Sequence, residues 1–176
     1  MIQENTKLPS ITLLGIMVRT NNKFETSPLT SKIGPCAQRY GQEHIFNKIS
    51  NRKNPGRTFC VYTDYESDHT GDYTFFIGEE INESPDGNAK EKDETLDSIA
   101  SSIGLKKHVI PPQNYAKFTT EQGIMPLVAI NAWQNIWQMT PETLGGKRRF
   151  HTDFQIHDER ALNPMSTILD IYVGIE

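Results

Sequence analysis

A strand-pair signature that occurs twice constrains this chain more than any other feature. Thr63-Asp64-Tyr65-Glu66 recurs as Thr152-Asp153-Phe154-Gln155, and Phe76-Ile77-Gly78-Glu79-Glu80 recurs as Tyr172-Val173-Gly174-Ile175-Glu176. Such a repeat predicts a duplicated strand-helix-strand-strand unit. Two copies related by a pseudo-twofold give an α+β fold with an antiparallel-rich sheet, and a concave ligand site is expected in the cleft between the halves.

Periodicity fills in the elements. Ile11 to Thr20 is β-rich, and Ile33, Cys36, Ala37, Tyr40 and His44 fall at helical spacing with Pro35 in the first turn. Thr58 to Tyr65 and Tyr73 to Glu80 read as strands around a turn rich in Ser, Asp and Gly, which closes a first half of about residues 10–81. Residues 82–104 read as a polar linker. Asn82 to Asp93 is acidic, with Pro85 and Gly87, and Asp93 then caps a short helix through Leu96, Ile99, Ala100 and Ile103 that stops at Gly104. The second half, residues 105–176, opens with Lys106 to Ile110, breaks at Pro111-Pro112 and resumes through Tyr115 to Thr119, a pattern of an edge or bulged strand. A helix starting near Pro126 carries Val128 or Ala129, Ala132 or Trp133, Ile136 and Trp137 on one stripe. Phe150 to His157 and Thr167 to Ile175 form the last hairpin, so residues 1–176 are read as one domain of two halves.

Several function classes are disfavoured by composition and spacing. A chain of 176 residues buries about 70% of its unfolded surface without staples. Its net charge of −4 argues against a general nucleic-acid binder. With about ten residues before the first predicted strand there is no room for a helix-turn-helix, so no direct nucleic-acid contact is expected. Cys36 and Cys60 lack metal-type spacing and read as reduced core residues. The longest apolar run, Ile11 to Val18, is far below the roughly 20 residues of a membrane span, and Arg19 follows it directly. A cytoplasmic protein without a membrane partner is the expectation. His151, Asp153 and His157 share a strand face, but the two histidines lie roughly 20 Å apart at the usual rise, too far for one ion. Lys147-Arg148-Arg149 reads as a solvated loop, and with no phosphate loop or nucleophile elbow present, neither metal nor cofactor is expected.

Val61-Tyr62-Thr63-Asp64-Tyr65-Glu66-Ser67-Asp68 with Tyr73-Thr74 and Ile77-Gly78, the Trp133…Ile136-Trp137 helix and Thr152-Asp153-Phe154-Gln155-Ile156 together carry a resemblance. In order, and over most of the chain, they resemble the GyrI-like small-molecule-binding family, which includes stand-alone proteins and the effector domains of AraC-type and MerR-type multidrug regulators. The resemblance implies two strand-helix-strand-strand units and a cleft that takes aromatic, often cationic compounds between aromatic walls and one buried glutamate. That glutamate follows the Asp-Phe pair of the last hairpin, where this chain has Gln155; the aromatic two residues on is His157, and Cys36-Ala37 stands where relatives often have Leu-Trp.

Strand alternation puts Asp153, Gln155 and His157 on one face and Phe154 and Ile156 on the other, with Tyr62, Asp64 and Glu66 facing the equivalent surface of the first half. Trp133 and Trp137, four apart, share a helical face that serves either as a stacking wall or as core packing. Together with what the resemblance implies, the expected ligand-binding set is Tyr40, Tyr62, Trp133, Trp137, Gln155, His157 and Tyr172, with no catalytic residue assigned. The reading is non-enzymatic capture of a small aromatic or apolar compound, cationic or neutral, for sensing, sequestration or resistance. Two alternatives stand beside it. One is hydrolysis of strained cyclopropane-type rings, which some relatives carry out with the glutamate; an amide cannot act as a general base near neutral pH, so Tyr62 or His157 would have to carry the proton. The other is a partner-binding module, the partner being a DNA-binding regulator or gyrase.

Overall fold

The computed structural model describes residues 1–82 and 101–176. Among them, eight strands form one antiparallel sheet: β1 Ile2–Leu8, β2 Ile11–Thr20, β3 Thr58–Thr63, β4 Tyr73–Glu80, β5 Lys106–Ile110, β6 Gln113–Thr119, β7 Thr152–His157 and β8 Asp170–Ile175, in the order β1-β6-β8-β7-β3-β4-β2-β5. The α-helices that lie wholly within the described residues are α1 Asn22–Glu25, α2 Ile33–Gln42, α3 Leu127–Trp137 and α4 Pro141–Leu144. Strand order within each half is the same. The first runs β3-β4-β2, the second β7-β8-β6, and the halves meet where β3 pairs with β7, Val61 opposite Phe154.

One half of the repeated signature does not mark equivalent places. Thr63 ends β3 and Thr152 begins β7, and the two lie opposite each other across the seam with their hydroxyls 3.2 Å apart. The Gly78 and Gly174 copies do occupy corresponding strands, β4 and β8. Gly78 stands directly across from Gly15, and a Cβ on either would run into the backbone of the other strand, so this close approach of β2 and β4 requires glycine.

The strand read as broken at Pro111-Pro112 changes partners there. β5 pairs with β2 of the first half, and β6 pairs with β1, a strand that the sequence reading left out. Register is continuous through the break, from Ile2 opposite Thr119 to Leu8 opposite Gln113, and from Ile11 opposite Ile110 to Gly15 opposite Lys106. β1–β2 and β5–β6 thus form one long antiparallel pair bent at its prolines, which lack the N–H a straight ladder would need. Because each bend spans only two residues, the two ends of the sheet are drawn together and the sheet curls.

Curling gives the sheet an inside and an outside. Leu13, Phe59, Val61, Phe76, Ile110, Tyr115, Phe154, Ile156 and Tyr172 from seven strands fill the inner face. On the outer face α2 packs through Cys36 and Tyr40 onto Ile16, Cys60, Phe75 and Ile77, and α3 packs through Ala129, Ala132, Trp133 and Ile136 onto Phe118, Ile171 and Val173. With both faces covered, β4 is buried along nearly all its length and reads as the continuous run Tyr-Thr-Phe-Phe-Ile rather than an alternation. Tyr62 packs against both outer clusters and so sits on the seam between the two helix-bearing halves.

Two sequence expectations shift at element ends. α2 stops at Gln42, and His44, at φ 49°, has left the helical stripe assigned to it. Asp64, at φ 50°, ends the alternation of β3, so Asp64 and Glu66 do not continue the face of Tyr62. Of the expected short helix at residues 93–104, all but 101–104 lies outside the described residues; 101–103 are helical and Gly104 has the left-handed φ of 74°.

Candidate functional site

The outer face of the seam is built from alternate residues of two paired strands. Thr58, Cys60 and Tyr62 of β3 stand opposite His157, Gln155 and Asp153 of β7. α3 brings Trp133 over this floor: its indole and the Tyr62 ring meet edge to face, 5.0 Å between centroids and inclined by 67°. The Trp133 Nε1–H donates to Gln155 Oε1 at 2.9 Å, and Gln155 Nε2 lies 2.8 Å from His157 Nε2. Because an indole N–H can only donate, the amide is oriented without ambiguity: its oxygen faces Trp133 and its NH₂ faces the histidine. His157 Nε2 is therefore the acceptor, and the ring is the neutral Nδ1–H tautomer. Burial lowers the His157 pKa, against the pull of Asp158, in keeping with a neutral ring.

Four of the residues singled out in the sequence, Tyr62, Trp133, Gln155 and His157, are thus brought into one contiguous group. Tyr40 lies next to it, buried on α2 in the same cluster as Cys60. Trp137 is set apart. One turn beyond Trp133, it is half-buried and stacks on His69 of the β3–β4 loop at 5.5 Å and 13°. Tyr172 must be removed from the group: on β8 it points to the inner face, stacked on Phe154 at 4.5 Å and 9°. Two-residue alternation puts it on the side opposite Ile171 and Val173, which face α3.

Asp153 shares the outer face with Gln155 but is fully engaged. Fully buried, it accepts from Arg148 Nη2 at 2.6 Å, from the Tyr65 hydroxyl at 2.8 Å and from the Gly174 N–H at 2.8 Å. Arg148 belongs to the basic run read as solvated. Instead its side chain is only 9% exposed, and the guanidinium lies 4.4 Å from the Phe150 ring centre. Reading the run as a block hid this; the signal lay in the spacing that lets one arginine reach back to an acid five residues on. A second buried acid on the same face, Glu79, stands opposite Thr58 and is held by Arg52 at 3.3 Å; burial raises its pKa. Burial also pushes the Cys36 and Cys60 thiols up to about 11 and about 12, so both are unreactive thiols near neutral pH.

Trp133 and Gln155 are 8% and 4% exposed, so side chains close the seam over itself. At the end where Thr58 and His157 sit, it adjoins a recess of about 540 Å³ between residues 54–57 and Asp158, Glu159 and Leu162. Among the described residues no three His, Cys, Asp or Glu side chains group closely enough to hold a metal ion, and no helix is long and apolar enough to cross a membrane.

A sheet of two like halves with one long helix on each is the architecture of effector-binding domains of the GyrI-like type. The chain belongs to the Cass2 family of integron-associated effector binding proteins, whose family model matches residues 6–175. Among curated proteins it is similar to YobU of Bacillus subtilis (strain 168), whose name marks it as a candidate transcriptional regulator, with 25% identity over 92% of this chain and 90% of YobU. Among solved structures, the integron cassette protein VCH_CASS2 from the mobile metagenome of Vibrio cholerae has a TM-score of 0.67 at 22% identity, covering 99% of this chain and 95% of that one. SAV2435 bound to tetraphenylphosphonium has a TM-score of 0.71 at 16% identity, covering 100% and 94%.

Proposed function

We propose that this protein captures a small aromatic or apolar compound, cationic or neutral, at the seam between its halves, in a role of sensing, sequestration or resistance. The observation that carries the reading is the Trp133–Gln155–His157 chain edged by Tyr62: aromatic faces and an oriented amide gathered where two helix-bearing halves meet. A ligand site of this kind needs mostly apolar walls with a few fixed polar groups. Membership of an effector-binding family supports it, as does the likeness in fold to a protein holding tetraphenylphosphonium. Because Trp133 is buried, capture requires the indole to move aside, and the ligand takes over its place against Tyr62 and Gln155. The name of YobU supports a regulatory setting.

Hydrolysis is the weaker reading. Position 155 is an amide, and the only lone pair on the His157 ring is already taken by that amide. Tetraphenylphosphonium titrated into the protein should quench indole fluorescence saturably. The indole, swung off Gln155, then stacks on the face of the bound ligand, so Trp133→Ala should weaken binding by about 1–2 kcal/mol through lost stacking and cation attraction. Absence of binding by this cation and by neutral aromatics of similar size would overturn the proposal.

A further inference from the structure

Resting on the seam as the binding site, we infer that His157 is a positioning residue that decides which end of the Gln155 amide a ligand meets, so that the neutral site selects aromatic compounds bearing an N–H or O–H donor. Trp133 Nε1–H holds the Gln155 oxygen, and the Gln155 NH₂ is held in turn by the lone pair on His157 Nε2. When a ligand displaces the indole, the NH₂ stays pinned on His157 and the atom left facing the ligand is the carbonyl oxygen. A bound aromatic with a donor on its edge restores the lost hydrogen bond; one with only an acceptor leaves two acceptors facing each other.

Protonating His157 reverses the arrangement. The ring then carries N–H on both nitrogens, two donors confront each other across 2.8 Å, and Gln155 must turn its oxygen to the histidine. That turn points the NH₂ at the Trp133 N–H, so the closed seam is incompatible with a charged His157, and the open site then presents a donor. The surroundings leave His157 free to act this way. Asp158 beside it favours the charged form but is engaged by Arg160, and Thr58 stands directly opposite on β3. Beyond Thr58, Glu79 on β4 is held by Arg52. On β8, Asp170 is held by Arg160 and Thr119. On α2, Arg39 pairs with Glu43 and the Cys36 thiol and Tyr40 phenol stay neutral, while α3 carries no ionisable side chain.

Two measurements test this. In the ligand-free protein, long-range ¹⁵N NMR should show His157 as the Nδ1–H tautomer at neutral pH. Exchange of the Trp133 indole N–H, slow at neutral pH, should accelerate as His157 titrates. The opposite tautomer, or an indole N–H that stays protected through that titration, overturns the inference. For the ligand, indole and benzofuran form a matched pair differing in one N–H. Indole should bind about 3- to 10-fold tighter at pH 7.5, the worth of one hydrogen bond, and the preference should vanish or invert as His157 is protonated. His157→Leu, which removes the acceptor that pins the NH₂, should abolish the preference at every pH. Equal binding of both probes by the unmodified protein overturns this inference alone; failure of both and of tetraphenylphosphonium overturns the binding reading and this inference with it.

Discussion

At the scale of single residues, Gln155 is held on both sides, by a group that can only donate and by a ring that must accept. Its effect is best seen by adding charge. Gln155→Glu places a carboxylate between Trp133 and His157, and it is expected to tighten tetraphenylphosphonium relative to a neutral aromatic by about 1–2 kcal/mol, checked by calorimetry with both ligands on both proteins. An unchanged ratio would mean that position 155 does not meet the ligand. Asp153, two residues away, already carries a charge, and a guanidinium, a phenol and a backbone N–H hold it. Arg148→Met leaves that carboxylate buried and uncompensated, and urea unfolding should show a loss of about 3–5 kcal/mol. The double variant Arg148→Met/Asp153→Leu should recover much of that loss. Sequence alone put Asp153 and Gln155 on one face and could go no further, since which acid is neutralised depends on an arginine whose reach is set by the loop before β7.

At the scale of elements, strands and helices that bury apolar side chains were legible. Ile11 to Thr20 and Tyr73 to Glu80 match β2 and β4 end to end, and the Trp133 helix starts just after Pro126. β1 was not. Its residues Gln3, Glu4, Asn5, Thr6 and Lys7 carry no apolar alternation, and the strand exists because β6 offers it a ladder. The split of β5 from β6 was equally hidden, because prolines announce a break without saying where the chain goes next. Tyr172 was misassigned for a related reason: its motif was matched, but which face of β8 meets α3 depends on the curl. The curl itself can be tested at its tightest approach. Gly78→Ala drives a methyl group into the Leu14 carbonyl and Gly15, neither of which can swing away. A loss of about 1–3 kcal/mol or more in unfolding free energy is expected, whereas Gly41→Ala, on an open helix surface, should be neutral or mildly stabilising.

At the scale of the whole molecule, stability should fall in mild acid. His108 and His157 are both held neutral by burial, with pKa values below the ordinary 6.5. The unfolded chain takes up protons at these sites first as pH drops, so their contribution is complete above about pH 6.5 and is lost as pH falls through the folded-state values. Urea midpoints measured from pH 7.5 down to 5 should decline, and less so in His157→Gln. The halves are also not separable: β1 completes the second half and β5 the first. Fragments 1–82 and 101–176 should each fail to fold alone, as followed by circular dichroism, and should regain structure on mixing. This exchange has a consequence during synthesis. β1 leaves the ribosome well before β6, the only strand that pairs with it among the described residues, and at 5–20 residues per second it waits roughly 5–20 s for that partner. A hydrophobic strand would be an aggregation hazard for that time. The polar, charged sequence of β1, which made it invisible as a strand, is what lets it wait in water.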